Sequence, residues 1–337
     1  IVFEISELVR DYIETKYDGE YDSYCVYVNP VITAINETGG TITSPTVTPS
    51  DYASQFVATE GYGYFEEGIN PDFDEGLMMS EGTIYRVNDR SVNIPIYAET
   101  TNSVSFLLNG QQVKSVTIDD SSTDTADQIQ YISSDGNSAA DNYRERVLED
   151  GGVFEYNSLL EAFEGSFDIG AVDEIYVNYT NATETKTTVL KVKTFDCSKY
   201  EPIRVTFVNK FGALQDLYFT KRSDESINIT SQDYKASVMD FVNFSYDTTS
   251  HQQRTLNLIG KESVTLNTDY IDESCNEHIK QLMLSEQVWM TRLTDKENIV
   301  PLKLKSNSLK LKTRVNDKLV QYTMSFDFAF DKINTIR

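Results

Sequence analysis

Hydrophobic positions along most of this chain recur at every second residue, the period of a β-strand whose two faces meet different surroundings. The clearest run lies near the C-terminus, where Val320, Tyr322, Met324, Phe326, Phe328 and Phe330 alternate with Gln321, Thr323, Ser325 and Asp327. It predicts the longest strand of the chain, with one buried aromatic face and an edge that a monomer would leave open. Shorter runs of the same kind are TIYRV, SVNIPIY, SVSFLLNGQQVKSVTI, IQYIS, VDEIYVNYT and TTVLKVKTFD, all between residues 83 and 196. Asn109-Gly110, between two apolar runs, is the strongest hairpin signal, because both residues tolerate the left-handed conformation a tight turn needs. Beyond Pro202, RVTFVNKFG and ALQDLYFTKR read as a hairpin around Phe211-Gly212. SINIT, DFVNFSY, RTLNLIG and ESVTL read as further short strands, and SLKLKTRV leads into the last strand through Asn316-Asp317.

Helical spacing is rarer. Ile5, Leu8, Val9, Tyr12 and Ile13 predict an amphipathic helix over 4–16, ended by Asp18-Gly19. A second helix is expected after Asp269, which can cap it, with Asp272 and Glu273 in the first turn and Ile271, Cys275, Ile279 and Leu282 on one face. Segment 137–165 reads as a helical insertion broken at Gly151-Gly152. Strand-like Tyr24–Val28 and Val31–Ile35 are split by Asn29-Pro30, and 36–82 is an irregular stretch rich in Gly, Tyr and acid. The expected fold is mainly β: several β-sandwich or barrel-like units with a few short helices. Three domains are expected: 1–89, α+β with the long acidic Tyr/Gly-rich loop; 90–200, β-sandwich-like with the helical insertion; and 201–337, a β-rich assembly domain with one amphipathic helix.

Composition sharpens this. With 21 Tyr and 17 Phe against 6 Met and 1 Trp, the 337-residue chain is stocked for pleated surfaces. Its net charge of −24 falls entirely on residues 1–200, since 201–337 holds as many basic as acidic residues, and 296–337 is basic. An acidic surface repels nucleic acid and anionic membranes, so neither is an expected partner. The plain reading of this acidity is solvation in a salty environment where charge is screened; the sharper one is polarity within an assembly, with acidic faces outward and a basic edge docking onto a neighbour. Cys25, Cys197 and Cys275 are too few and too scattered for a disulfide framework. There is no apolar run long enough for a membrane span, and the opening IVFEISELVRDYIETKYDG reads as structure begun mid-domain rather than as a targeting segment.

Chemistry-bearing motifs are sparse. The histidines are His251 and His278. His278 follows Cys275 by one helical step, but the simpler expectation is a helix-surface histidine. Cys275, His278 and Cys197 lack the paired spacing of a zinc site. Asn70 to Gly76 (NPDFDEG) faintly resembles a calcium loop without the closing glutamate, and is expected to be a solvated acidic loop. Lys303, Lys305, Lys310, Lys312 and Arg314 alternate with leucines to give a basic sheet face, expected to pair with acidic surface. The sequons at Asn36, Asn178, Asn181, Asn228 and Asn243 follow from Asn/Thr richness. No catalytic residue, metal ligand or cofactor is assigned, and the chain is expected not to be an enzyme.

Four blocks carry a resemblance: FEISELVRDYIETKYDGEY (3–21), EPIRVTFVNKFGALQDLYFTKRSDESINIT (201–230), ESVTLNTDYIDESCNEHIKQLMLSEQVWM (262–290) and KTRVNDKLVQYTMSFDFAFDKINTIR (312–337). In them the chain resembles structural proteins of tailed bacteriophages of marine bacteria. The resemblance implies a virion structural protein of the tail, tail tip or baseplate, made in the host cytoplasm. It would oligomerise through its C-terminal domain and have copies of itself and other tail proteins as partners. The other roles are a receptor-binding or fibre-type adhesin, with Tyr62, Tyr64 and Phe65 against a host surface receptor, and a neck or capsid-associated protein. No active site comes with the resemblance.

Overall fold

A computed structural model describes residues 6–13, 15–22, 25–28, 56–63, 76–88, 90–118, 128–134, 171–181, 184–195, 199–246, 248–293, 295–306, 308 and 319–333. The fold is mainly β, with several sheets and no closed barrel among these residues. Two compact units divide the chain. The first comprises Ile1–Asp196, Thr206–Leu217 and Ser274–Ser285, and the second Cys197–Val205, Tyr218–Glu273 and Glu286–Arg337. The expected helix 137–165, the strand at 31–35 and the run 308–315 fall wholly or mostly outside the described residues.

The first unit opens with a short helix α1 (Ser6–Arg10) and then β1 (Cys25–Val28), β2 (Phe56–Thr59), β3 (Thr83–Val87), β4 (Asn93–Tyr97) and β5 (Thr101–Leu108). It continues with β6 (Gln111–Thr117), β7 (Ile129–Ser133), β8 (Glu174–Asn181) and β9 (Glu184–Phe195). Instead of spanning 4–16, α1 stops at Arg10 and leaves Leu8 and Tyr12 exposed. The five-stranded sheet runs β3-β9-β8-β5-β6, with β3 parallel to β9 and the other pairs antiparallel. At the β5–β6 turn, Asn109 and Gly110 take φ of 52° and 74°, the left-handed pair that the sequence demanded. The two-stranded sheet β4–β7 packs over it in sandwich fashion. Ile94, Ile96 and Ile132 share one core with Val104, Phe106, Ile175, Val177 and Leu190. Burying each such side chain contributes about 1.5–3 kcal/mol.

The remaining elements are β10 (Ile203–Val208), β11 (Leu214–Phe219), β12 (Asp224–Lys235), β13 (Met239–Asp240), β14 (Ser245–Tyr246), β15 (Gln253–Asn267) and β16 (Ile271–Asp272). A 3-10 turn (Glu273–Cys275) and helix α2 (Asn276–Leu284) precede β17 (Val288–Arg292), β18 (Asp295–Leu304), β19 (Leu319–Val320), β20 (Thr323–Phe328) and β21 (Lys332–Ile333). β10 and β11 are neighbours closed by the turn around Phe211-Gly212, as expected, and Asn209 N–H donates to the Ala213 carbonyl at 2.9 Å. In the second unit the strands follow one another as β17-β18-β20-β15-β12, with β21 on β15.

Three expectations change here. The C-terminal alternation does bury Val320, Tyr322, Met324 and Phe326, but Phe330 is exposed. Its strand is no open edge: β20 is paired on both sides, Phe326 facing Val264 of β15 and Leu304 of β18. The longest strand is instead the 15-residue β15, which fuses the two expected strands RTLNLIG and ESVTL because the long β12 pairs along it. Asp269 does not cap α2. Pairing of Ile271-Asp272 with Leu319-Val320 keeps the backbone extended there, the helix begins at Asn276, and Asp269 accepts from Tyr270 N–H and pairs with Lys221 at 2.6 Å. Ile271, Cys275, Ile279 and Leu282 are nonetheless all buried.

Candidate functional site

The residues with chemical potential are tied into packing. His278 is buried rather than on the helix surface, and its Nε2 lies 3.0 Å from the Ser80 carbonyl oxygen. Burial pushes its imidazole below the ordinary value, opposed by that hydrogen bond and by Glu277. The Cys275 thiol donates to the Thr83 carbonyl at 3.0 Å. Around them, in the first unit, is a knot of buried amides. Asn209 accepts from the Phe211 and Ala213 N–H groups and donates to the Met78 carbonyl at 2.8 Å and to Gln215 Oε1 at 3.2 Å. Gln281 donates to Ser80 Oγ at 2.6 Å and accepts from Lys210 N–H at 3.4 Å. Such a fully bonded polar cluster fixes α2 and two loops in one arrangement.

The other expected residues scatter. Tyr62 donates its hydroxyl to the Gln281 carbonyl at 3.3 Å, while Tyr64 and Phe65 lie outside the described residues. Lys305 pairs with Asp327 at 2.9 Å and Lys303 stands opposite Asp327, so this part of the basic face meets acid within its own sheet. Lys310, Lys312 and Arg314, Cys197, and the calcium-like run up to Glu75 are outside the described residues, and neither Cys25 nor Cys275 is in a disulfide. Among the described residues no group of three or more His, Cys, Asp or Glu is placed to hold a metal, and no helix is long and apolar enough to cross a membrane.

What stands out on the surface is an arm in the second unit. β12 is the last strand of its sheet, pairs only with β15 among the described residues, and is exposed at all 12 positions. At the usual strand rise it is about 40 Å long. Its base is fastened by Arg292, which bonds both Glu225 and Glu201. Further out, Ile227 lies across Gly260, whose missing side chain leaves room for it: a Cβ there would sit 3.1 Å from Ile227 Cδ1. Past the pairing of β15 with β20 and β21, the outer part is, among the described residues, a two-stranded ribbon, a structure marginally stable on its own in water.

The arm ends in a turn between β13 and β14 that displays Phe241, Val242, Phe244 and Tyr246 at 70, 84, 79 and 73% exposure. The turn is ordered by Asp240, whose Oδ1 accepts from Val242 N–H at 2.9 Å and whose Oδ2 accepts from the Asn243 side chain at 2.7 Å. These bonds, first from Val242 and then from Asn243, hold its carboxyl below the usual value. Phe244 sits at φ 49°, a left-handed conformation that a bulky side chain adopts only at a cost. Preset geometry, backbone strain and four exposed apolar groups thus coincide at the tip. DFVNFSY, expected as one strand, is instead a turn closed by β13 and β14, and Asp240 and Asn243, both turn formers, are the signal that distinguishes the two.

Comparison with protein-family models, curated proteins and solved structures gives no match for this chain.

Proposed function

We propose that this chain is a structural protein of a tailed-bacteriophage virion, a tail, tail-tip or baseplate component, and that it joins its neighbours through the β12–β15 arm. The arm is the observation that carries the assembly reading. A lone two-stranded ribbon with an apolar tip gains stability when other surfaces cover it, which is how subunits of a repeating assembly engage one another. The virion part of the proposal is supported by the four resembling sequence blocks, two of which, 201–230 and 262–290, contain the base of the arm, while its outer ribbon and tip lie between them. The assembly element stays in the C-terminal domain but moves from the last strand, which is interior, to β12 and the tip.

In this reading the partners are copies of the chain and other tail proteins, and the site of action is the particle. The test is a reconstruction of intact particles. Density for this chain in a tail ring at fixed copy number, with the arm on a neighbouring subunit, is the expected result; particles lacking the chain would refute the proposal. The same tip also suits a receptor-binding role. Particles carrying Phe241→Ser with Phe244→Ser that assemble at normal copy number but fail to adsorb would favour that second reading.

A further inference from the structure

We infer that the edge of β12 left unpaired among the described residues pairs with β12 of a second copy, antiparallel, joining two sheets into one across a two-fold axis at Thr230. The inference rests on the arm being an assembly element and is independent of the virion assignment. Natural edge strands are guarded by lysine, proline, bulges or a covering segment. From Ser226 to Gln232 (SINITSQ) β12 has no charge, no proline and no glycine. The one register shift in the β12–β15 pairing, between Gln232 and Asp233, places the extra residue, Leu256, on β15. The outer strand therefore stays regular and can offer its whole length to a partner strand.

Charge chooses both the occupant and the register. Lys235 is the sole basic residue of β12. Centring an antiparallel pair of β12 strands on Thr230 places Glu225 of each copy opposite Lys235 of the other, so two opposite-charge pairs close the two ends. Moving the axis to Ile229 would set Glu225 against Asp233, a like-charge pair at each end. With the axis on Thr230, one face of the joint is a polar ladder: Thr230 against its own copy, Asn228 against Gln232, and Ser226 against Tyr234. All of these side chains are exposed in the single chain. Because β12 runs from the base of the arm outward, the antiparallel pairing carries each apolar tip past the other arm's Glu225, toward the body of the other copy. A self-complementary patch of this kind closes a dimer instead of propagating a fibre.

The test uses the full chain in solution, with molar mass measured by light scattering and sedimentation across micromolar concentrations. A concentration-dependent dimer is expected. Thr230→Lys, which opposes two lysines on the axis, should weaken it about fivefold. Lys235→Glu should weaken it further, through both ends. Thr230→Cys should give a disulfide-linked dimer on mild oxidation beyond the level of the unsubstituted chain. Unchanged circular dichroism and urea midpoints for the Thr230 variants, whose side chain is exposed, establish that folding is intact. A chain that stays monomeric throughout, or a dimer indifferent to all of these substitutions, would overturn the inference. A monomer present in particles would refute this dimer alone, and a dimer absent from particles would refute the virion proposal alone.

Discussion

Replacing Phe326 by alanine tests where the C-terminal strand lies. Its ring is fully buried, 6.4 Å from Phe219 in an edge-to-face arrangement, with Val264 and Leu304 opposite it on the two flanking strands. Truncating a phenylalanine in such a place costs about 3–5 kcal/mol, the lost transfer energy plus the cavity left behind. Set against the roughly 5–15 kcal/mol that holds a domain together, this removes a large part of the second unit's stability. The sole tryptophan, Trp289 on β17, reports on that unit directly, so urea unfolding followed by its fluorescence is the natural assay. The midpoint should fall by about 1–3 M. Phe330→Ala is the internal control: the same chemistry, four residues on, at a side chain half exposed to water, should change stability by no more than about 0.5 kcal/mol. Equal effects from the two variants would refute an interior β20. A Phe326→Ala chain that keeps its midpoint but loses assembly would return the last strand to the role of outer edge.

Other outcomes follow from the same geometry. Asn209→Leu leaves the Met78 carbonyl and the Phe211 and Ala213 N–H groups without their partner and should cost more than about 3 kcal/mol, read as a loss of thermal stability. His278 has a depressed folded value, so its contribution to stability is complete above the ordinary 6.5 and is lost as pH falls through the folded value. Unfolding midpoints between pH 7.5 and about pH 5 should therefore decline in the native chain and decline less in His278→Gln, while equal slopes would count against a neutral buried imidazole. Asp240 works the same way at lower pH: its carboxylate orders the tip above the ordinary 3.8, and protection of the Val242 amide against hydrogen exchange should vanish as pH drops below that value. Phe244→Gly relieves the left-handed strain and should raise the stability of the isolated chain by up to about 1 kcal/mol while reducing its incorporation into assemblies; a loss of stability would show that the ring packs within the monomer.

The sequence by itself determined whatever depends on near neighbours. Period-two alternation identified the β-rich class, the burial of Met324 and Phe326, and the strands of the five-stranded sheet. Asn109-Gly110 specified its turn because the required backbone conformation belongs to those two residues. The apolar face of Ile271, Cys275, Ile279 and Leu282 was legible too, since burial follows side-chain chemistry even where the element boundary shifts.

Tertiary structure decided the rest, through pairings between residues far apart in the chain. Helix α2 starts late because Ile271-Asp272 is held extended by Leu319-Val320, and no local propensity carries that information. His278 looked like a surface residue until the loop bearing Ser80 covered it. β12 is polar enough to pass for a short strand and loop, and it gains its length from β15. Whether a strand edge is open is a property of its neighbours alone: β20, the more apolar strand, is enclosed on both sides, and β12, the more polar one, has one edge unpaired among the described residues. Alternation fixes which face of a strand seeks burial, but the backbone hydrogen bonds that seal or expose an edge run perpendicular to that pattern and are settled only when the strands meet.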